Sequence, residues 1–455
     1  MDPRTEMSAP SLNIARAGQG EALAATRDRT LALVAGLGES DLNRVVDPLL
    51  SPLLWDLGHV ANFEHRWLLG SGEAALDALY NPFEHPRAER GSLPILHSDE
   101  CFTYMGTVRE AVTERLPRLD PLRVELVIQH EQQHNETMLQ LLGQLDGWVP
   151  PPALTTEFVA PPGGVRPVRL GAAAARAYRP ASRRRDWIAF PGGRYTIGTD
   201  PGERTLVYDN ETGRHERELA GFEIAARPVT NGEFLEWIEL GGYKKPEWWS
   251  AEGWRWLADG GAGEDPAPLA WRRTAAGWLQ TGFGAERPLD ADAPVCHVSW
   301  YEADAFARAH GARLPTEFEW EVAASHDPRQ GAGSARRRHP WGDEPWKPGA
   351  ANLDQLAFGT LAVGVDHGLG PIDMLGQVWE WTSSEFSAYP GFKPFAYKEY
   401  SAPFFDDGYR VLRGGSWATR ARCVSNSFRN WDHPQRRQIF AGLRLASSLR
   451  DESAL

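Results

Sequence analysis

Residues 120–142 constrain this chain more than any other stretch, because they place two histidines, His130 and His134, on what reads as one long helix. Asp120 supplies an N-cap, Pro121 suits the first helical position, and Gly143 closes the end. Side chains four apart on a helix lie one above the other, and the two imidazoles share their face with Val127, Met138 and Leu141, which belong inside. Two imidazoles on an apolar stripe need partners. They can be core histidines hydrogen-bonded to their neighbours, or they can ligate one divalent metal, since neutral imidazole binds iron, zinc, copper or nickel. His130-Glu131-Gln132-Gln133-His134 also spells the zinc-hydrolase pattern, in which Glu131 would be a general base beside the metal. The five residues alone leave all three readings open.

A length of 455 residues, 42% hydrophobic and 24% charged, provides for two or three domains with cores of their own. A formal net charge of -13 argues against a general binder of nucleic acid or of anionic membranes. Cys101, Cys296 and Cys423 lie far apart with no CxxC pair, so neither a disulfide framework nor a cysteine zinc site is expected, and a reducing cytoplasm fits. No run approaches the ~20 apolar residues of a membrane span, and residues 1–20 lack the apolar centre of a signal peptide.

In chain order, residues 1–20 read as a mobile arm and 21–146 as a helical bundle. Residues 147–185, rich in proline, glycine and alanine, read as a linker, and 186–450 as a second domain. The first bundle helix covers 21–37. The second covers 51–69, with Ser51 as N-cap, Pro52 at the first position and Gly70 closing it; a third covers 98–116. On the second, His59 shares a stripe with Trp55 and Phe63 and faces inward, whereas His65 falls on the solvent side. Bundles build metal sites from side chains on facing helices, so a third inward histidine moves the balance toward a metal held by His59, His130 and His134.

Most of the 19 tryptophans fall after residue 180 among many glycines, which predicts a loop-rich second domain with an aromatic core. Capping boxes start three of its helices: Thr230 with Glu233, Ser299 with Glu302, and Thr316 with Glu319. Phe190-Pro191-Gly192-Gly193, Arg227-Pro228-Val229-Thr230-Asn231, Ala312-Arg313-Leu314-Pro315-Thr316-Glu317, Gly376-Gln377-Val378-Trp379-Glu380-Trp381-Thr382 and Arg413-Gly414-Gly415-Ser416-Trp417 resemble the formylglycine-generating-enzyme fold, an irregular C-type-lectin-like domain. Trp55-Asp56-Leu57-Gly58-His59 and residues 130–136 resemble a DinB-type metal bundle. The expected class is therefore α+β, a DinB-like four-helix bundle followed by a formylglycine-generating-enzyme-like domain. Both together in this order resemble the sulfoxide synthases of ergothioneine biosynthesis.

That resemblance implies a non-haem Fe(II) centre on His59, His130 and His134 that uses O2 to join a thiol to hercynine, Nα-trimethylhistidine. It places Gln133, Asn430 and Trp431 at hercynine, where a quaternary ammonium lies against an aromatic face. It places Arg87, Asp432 and Arg436 at γ-glutamylcysteine, with Arg90 as a substitute for Arg87, and it makes Tyr397 or Tyr400, Tyr397 preferred, a proton donor. Cysteine or a selenosugar are alternative donors. Glu131 then becomes a carboxylate on the helix surface or behind the metal ligands. Formylglycine-generating enzymes hold copper on a cysteine pair, and after residue 300 this chain has only Cys423, so that activity is not expected.

Overall fold

The computed structural model describes residues 18–70, 72–155, 186–394 and 397–449, which divide into two compact units. The first contains the N-terminal helices with residues 201–207 and 282–284; the second contains the other described residues from 186 onward. The class is α+β.

Four helices dominate the first unit: α1 (Gln19–Val34), α2 (Leu53–Glu64), α3 (Ser98–Arg115) and α4 (Pro121–Leu142). α1 packs on α4, and α2 packs on both α3 and α4. The Asp120 carboxylate caps α4 by accepting the Leu122 N–H. Gly143 ends the helix with right-handed dihedrals, so its extra conformational freedom is not used there.

Helix α2 and the turn after it depart from expectation in four ways. Its cap position is Pro52, and Ser51 instead accepts a hydrogen bond from Arg90 Nη1 at 2.7 Å. Beyond Glu64 the coil widens into a π turn, His65–Leu69, stopped by Gly70 at φ 105°. All 12 residues of α2 are buried, so His59 is enclosed because the whole helix is central and not because one stripe is apolar. His65 is half-buried rather than solvent-facing, with Nδ1 3.0 Å from the Tyr104 hydroxyl.

Residues 1–17 of the expected arm lie outside the described residues, and α1 starts at Gln19, inside the range given to that arm. Residues 156–185 of the expected linker also lie outside. The part before them packs on the bundle: Trp148 is buried and donates to the Leu33 carbonyl at 3.2 Å, and Pro152–Thr155 adds one helical turn.

In the second unit, β1 (Trp187–Phe190) and β2 (Gly193–Ile197) flank the Pro191-Gly192 turn. β2 pairs with β3 (His215–Leu219). β1 pairs with β4 (Phe222–Ala225), which also pairs with β9 (Ala446–Ser448). A four-stranded sheet runs β7 (Asn430–Asp432), β6 (Arg410–Arg413), β5 (Trp379–Glu385) and β8 (Ala441–Leu443). The three capping boxes form as expected, at Thr230, Ser299 and Thr316.

The core is aromatic, with Trp237, Trp320, Trp381 and Trp417 fully enclosed, but three arginines are enclosed with them. Buried guanidinium groups are tolerable only when paired. Arg413 meets Glu321 at 2.6 Å, Arg429 meets Glu317 at 2.7 Å, and Arg444 meets Glu380 at 2.8 Å. Arg429 immediately precedes β7, so its anchor fixes the start of the strand that carries Asn430, Trp431 and Asp432.

Candidate metal centre

The first histidine is set by a glycine. A Cβ at Gly58 would lie 2.2 Å from the Tyr80 ring, so only glycine lets that ring press against α2. The Tyr80 carbonyl is thereby delivered to His59 Nδ1 at 2.8 Å. A carbonyl can only accept, so Nδ1 carries the proton and Nε2 keeps its lone pair. Trp55, one turn earlier, stacks on the same imidazole with ring centroids 4.9 Å apart and planes 10° apart. The Arg90 guanidinium lies 3.8 Å over Trp55.

His59 Nε2 points at His130 Nε2, 3.3 Å away. His130 is held from the side by Phe63, stacked with centroids 3.6 Å apart. His134 completes a trio whose ligand atoms all lie within 4.8 Å of one another, and no second cluster of this kind occurs among the described residues. Burial first, then the neighbouring His134, holds His59 well below the ordinary imidazole range; burial, then His134 and His59, does the same at His130. Both rings are therefore neutral ligand donors at neutral pH.

Nitrogen ligands ~2.1 Å from one ion and 90–109° apart are about 3.0–3.4 Å from each other, and the 3.3 Å between His59 and His130 falls in that interval. Two further polar atoms remain without a hydrogen bond. His134 Nδ1 and Asp56 Oδ1 are both buried and lie 3.4 Å apart. The donor set fits a metal ion. Asp56 was not singled out from the sequence, although it sits three residues before His59 on the same helix, a spacing that marks a shared face.

Glu131 is neither a surface carboxylate nor a base beside the histidines. It is buried, accepting from Arg27 Nε at 2.8 Å, Thr30 Oγ1 at 2.7 Å and Arg109 Nη2 at 2.9 Å. One residue on from His130, it is turned about 100° around the helix. A zinc-hydrolase base must reach water on the metal, and this carboxylate is saturated by two guanidinium groups and a hydroxyl.

Gln133, beside His134, is half-buried. Arg87 opens the turn Arg87–Ser92 and is exposed. Arg90 is committed to the fold: it donates to the His85 carbonyl at 2.9 Å and to Ser51, and burial lowers its pKa to about 10.

The second unit gathers the other candidates around Trp431. Its ring stacks on Phe386 at 4.1 Å with planes 7° apart and meets Tyr400 edge-on at 5.4 Å. Tyr400 in turn stacks on Tyr208 at 4.3 Å, and Tyr397 lies 6.1 Å from Tyr400 on the same short turn. Asn430 Oδ1 accepts the Trp431 N–H at 2.9 Å. Asp432 Oδ2 lies 3.6 Å from Nε of the buried Arg436. Phe386 and Tyr208 belong to this cluster and no sequence pattern marks them, since stacking partners distant in the chain leave no local signal.

Comparison with known proteins covers both units. Residues 22–143 match the DinB superfamily, and residues 173–449 match the sulfatase-modifying factor enzyme 1-like domain. The chain is 42% identical over 453 residues to the hercynine oxygenase of Mycolicibacterium smegmatis, spanning 95% of this chain and 99% of that one. It is also 42% identical over 440 residues to the hercynine oxygenase of Mycobacterium tuberculosis, spanning 93% and 97%. The formylglycine-generating enzyme of Streptomyces coelicolor is 33% identical over 273 residues and spans 53% of this chain. With both domains in this order and a match along nearly the whole length, the chain belongs to the hercynine oxygenase family.

Proposed function

We propose that this chain is an Fe(II)- and O2-dependent sulfoxide synthase that couples hercynine to γ-glutamylcysteine. The observation that carries the reading is the trio His59, His130 and His134 in a chain that matches hercynine oxygenases over 93–95% of its length, while Glu131 is bound up with arginines. In the net reaction an imidazole C–H and a thiol S–H are lost, a C–S bond forms, and O2 supplies one oxygen to sulfur and one to water. Iron(II) on three neutral imidazoles would supply the O2 activation and keep coordination positions open for substrates.

The remaining roles are those the family resemblance implies, and the side-chain chemistry suits them. The Trp431 face suits a trimethylammonium, which cannot donate an N–H, and Asn430 and Gln133 suit the hercynine imidazole. Asp432, Arg436 and Arg87 suit the ammonium and carboxylates of γ-glutamylcysteine. Tyr397 is the proton donor in this reading, because a phenol can deliver a proton without charging the resting site. The engagement of Tyr400 with both Tyr208 and Trp431 favours that choice over Tyr400. Three free, buried cysteines suit a reducing compartment such as the cytoplasm.

The test is anaerobic loading with Fe(II), followed by O2 uptake and product mass with hercynine and, in parallel, γ-glutamylcysteine, cysteine or a selenosugar. One O2 consumed per hercynine sulfoxide, fastest with γ-glutamylcysteine, is expected. Uptake that does not depend on hercynine would overturn the reading, and a faster reaction with cysteine or the selenosugar would replace the donor.

A further inference from the structure

We infer that Asp56 is a positioning residue for the metal centre: its carboxylate takes the Nδ1–H of His134 and so turns that ring's Nε2 toward the ion. The inference rests on the metal reading above and extends it to a residue outside the histidine trio. Asp56 is 2% exposed, on the helix that carries His59. A carboxylate so deeply enclosed is costly unless hydrogen-bonded. Its Oδ1 has no hydrogen-bond partner, His134 Nδ1 has none either, and the two lie 3.4 Å apart. A proton on Nδ1 directed at Oδ1 satisfies both and leaves a lone pair for the metal, whereas a proton on Oδ1 would tie up Nδ1 and put the ring's hydrogen on Nε2. In the first arrangement imidazole has one lone pair left, on Nε2, the nitrogen free to face His59 and His130.

The three histidines would thus be oriented by different devices. His59 has the Tyr80 carbonyl, His130 has the stacked Phe63 ring, and His134 has Asp56. A carboxylate behind an imidazole raises its basicity as well as fixing its tautomer, and loss of such a partner typically weakens metal binding 10–100-fold. The alternative is a purely structural role. Asp56 lies in the first turn of α2 and near Arg90, and either could call for a negative charge. That role would register in the stability of the metal-free protein and leave metal affinity alone.

The experiment uses the full chain and Co(II), a redox-stable probe with a ligand-sensitive visible spectrum, titrated against a chelator. Wild type, Asp56→Asn, Asp56→Ala and His134→Ala are compared, with metal-free thermal unfolding in parallel. Asp56→Ala is expected to bind Co(II) about 10–100-fold more weakly than wild type. Asp56→Asn, whose carbonyl still accepts but carries no charge, should fall between the two. Wild-type Co(II) affinity in folded Asp56→Ala overturns the inference and leaves the metal reading intact; failure of wild type itself to bind overturns both. Should Asp56→Ala not fold, ring 15N shifts of His134 in metal-free wild type decide: an Nδ1–H tautomer supports the role, and an Nε2–H tautomer overturns it.

Discussion

On one side of α4, Glu131 joins Glu64, Arg27 and Arg109 in a buried group of two acids and two bases in which every carboxylate oxygen is hydrogen-bonded. On the other side, His130 and His134 meet His59 with their nitrogens turned toward one another, and Asp56 Oδ1 lies 3.4 Å from His134 Nδ1. Both clusters are polar and enclosed, and both draw on the same five residues of α4, 130–134, for their central members. The first closes its own account of hydrogen bonds and is structural, tying α1, α2 and α3 to α4. The second turns the nitrogens of three imidazoles toward one another, and convergent neutral imidazoles suit a metal ion that completes them.

The largest effect that would sharpen this contrast is loss of the metal. His134→Ala should abolish metal retention and turnover together while the protein stays folded, checked by metal analysis, O2 uptake and circular dichroism. Full metal content in that variant would break the comparison at its functional end.

Glu131→Ala should do the reverse. Removing one member of a buried ion-pair group costs about 3–5 kcal/mol, so a marked drop in unfolding temperature is expected, with wild-type metal content in the folded fraction. A variant of normal stability that has lost turnover would instead make Glu131 a chemical group.

Acid should separate the two sides in the metal-free protein. His59 and His130 are held below their ordinary value of 6.5, so as pH falls below it the unfolded chain takes protons that the fold refuses. Stability then declines by up to ~1.4 kcal/mol per pH unit for each histidine. At Glu131, burial alone would raise the pKa, but Arg27 and Arg109 together outweigh it and keep the carboxyl below 4.5. Its contribution is intact above that value and is lost as pH falls through the lower pKa of the fold. Urea midpoints at pH 7.5, 5.5 and 4 should therefore fall in two stages, with only the second altered in Glu131→Ala; a flat response between 7.5 and 5.5 would show that the histidines are not held neutral.

The smallest effect concerns the two nearby arginines. Arg87→Ala should leave stability unchanged and raise the apparent KM for γ-glutamylcysteine about tenfold, ~1.4 kcal/mol for one charge-assisted contact. An unchanged KM would remove Arg87 from the donor pocket. Arg90, locked between Ser51, the His85 carbonyl and Trp55, cannot substitute for it without unmaking that corner of the bundle.

What the chain could announce by itself was local. Asp120 and Pro121 start α4, three capping boxes start three helices, and His130 lies one turn from His134, because each depends on dihedrals and side chains within a few residues. The stripe shared with Trp55 and Phe63 added His59 to that pair, and family resemblance implied the same trio. The sequence could not say which way Glu131 turns, that Ser51 serves Arg90 instead of capping α2, or that Asp56 stands behind His134.

Those outcomes belong to the tertiary structure, because α2 is buried all round and most of α4 is buried too, so no stripe of polarity tells which enclosed side meets which partner. The partner that decides comes from far along the chain: Tyr80 reaches His59 across 21 positions, and Arg27 reaches Glu131 across 104. Packing alone brings such groups within hydrogen-bonding distance, and burial makes each pairing, or its absence, count.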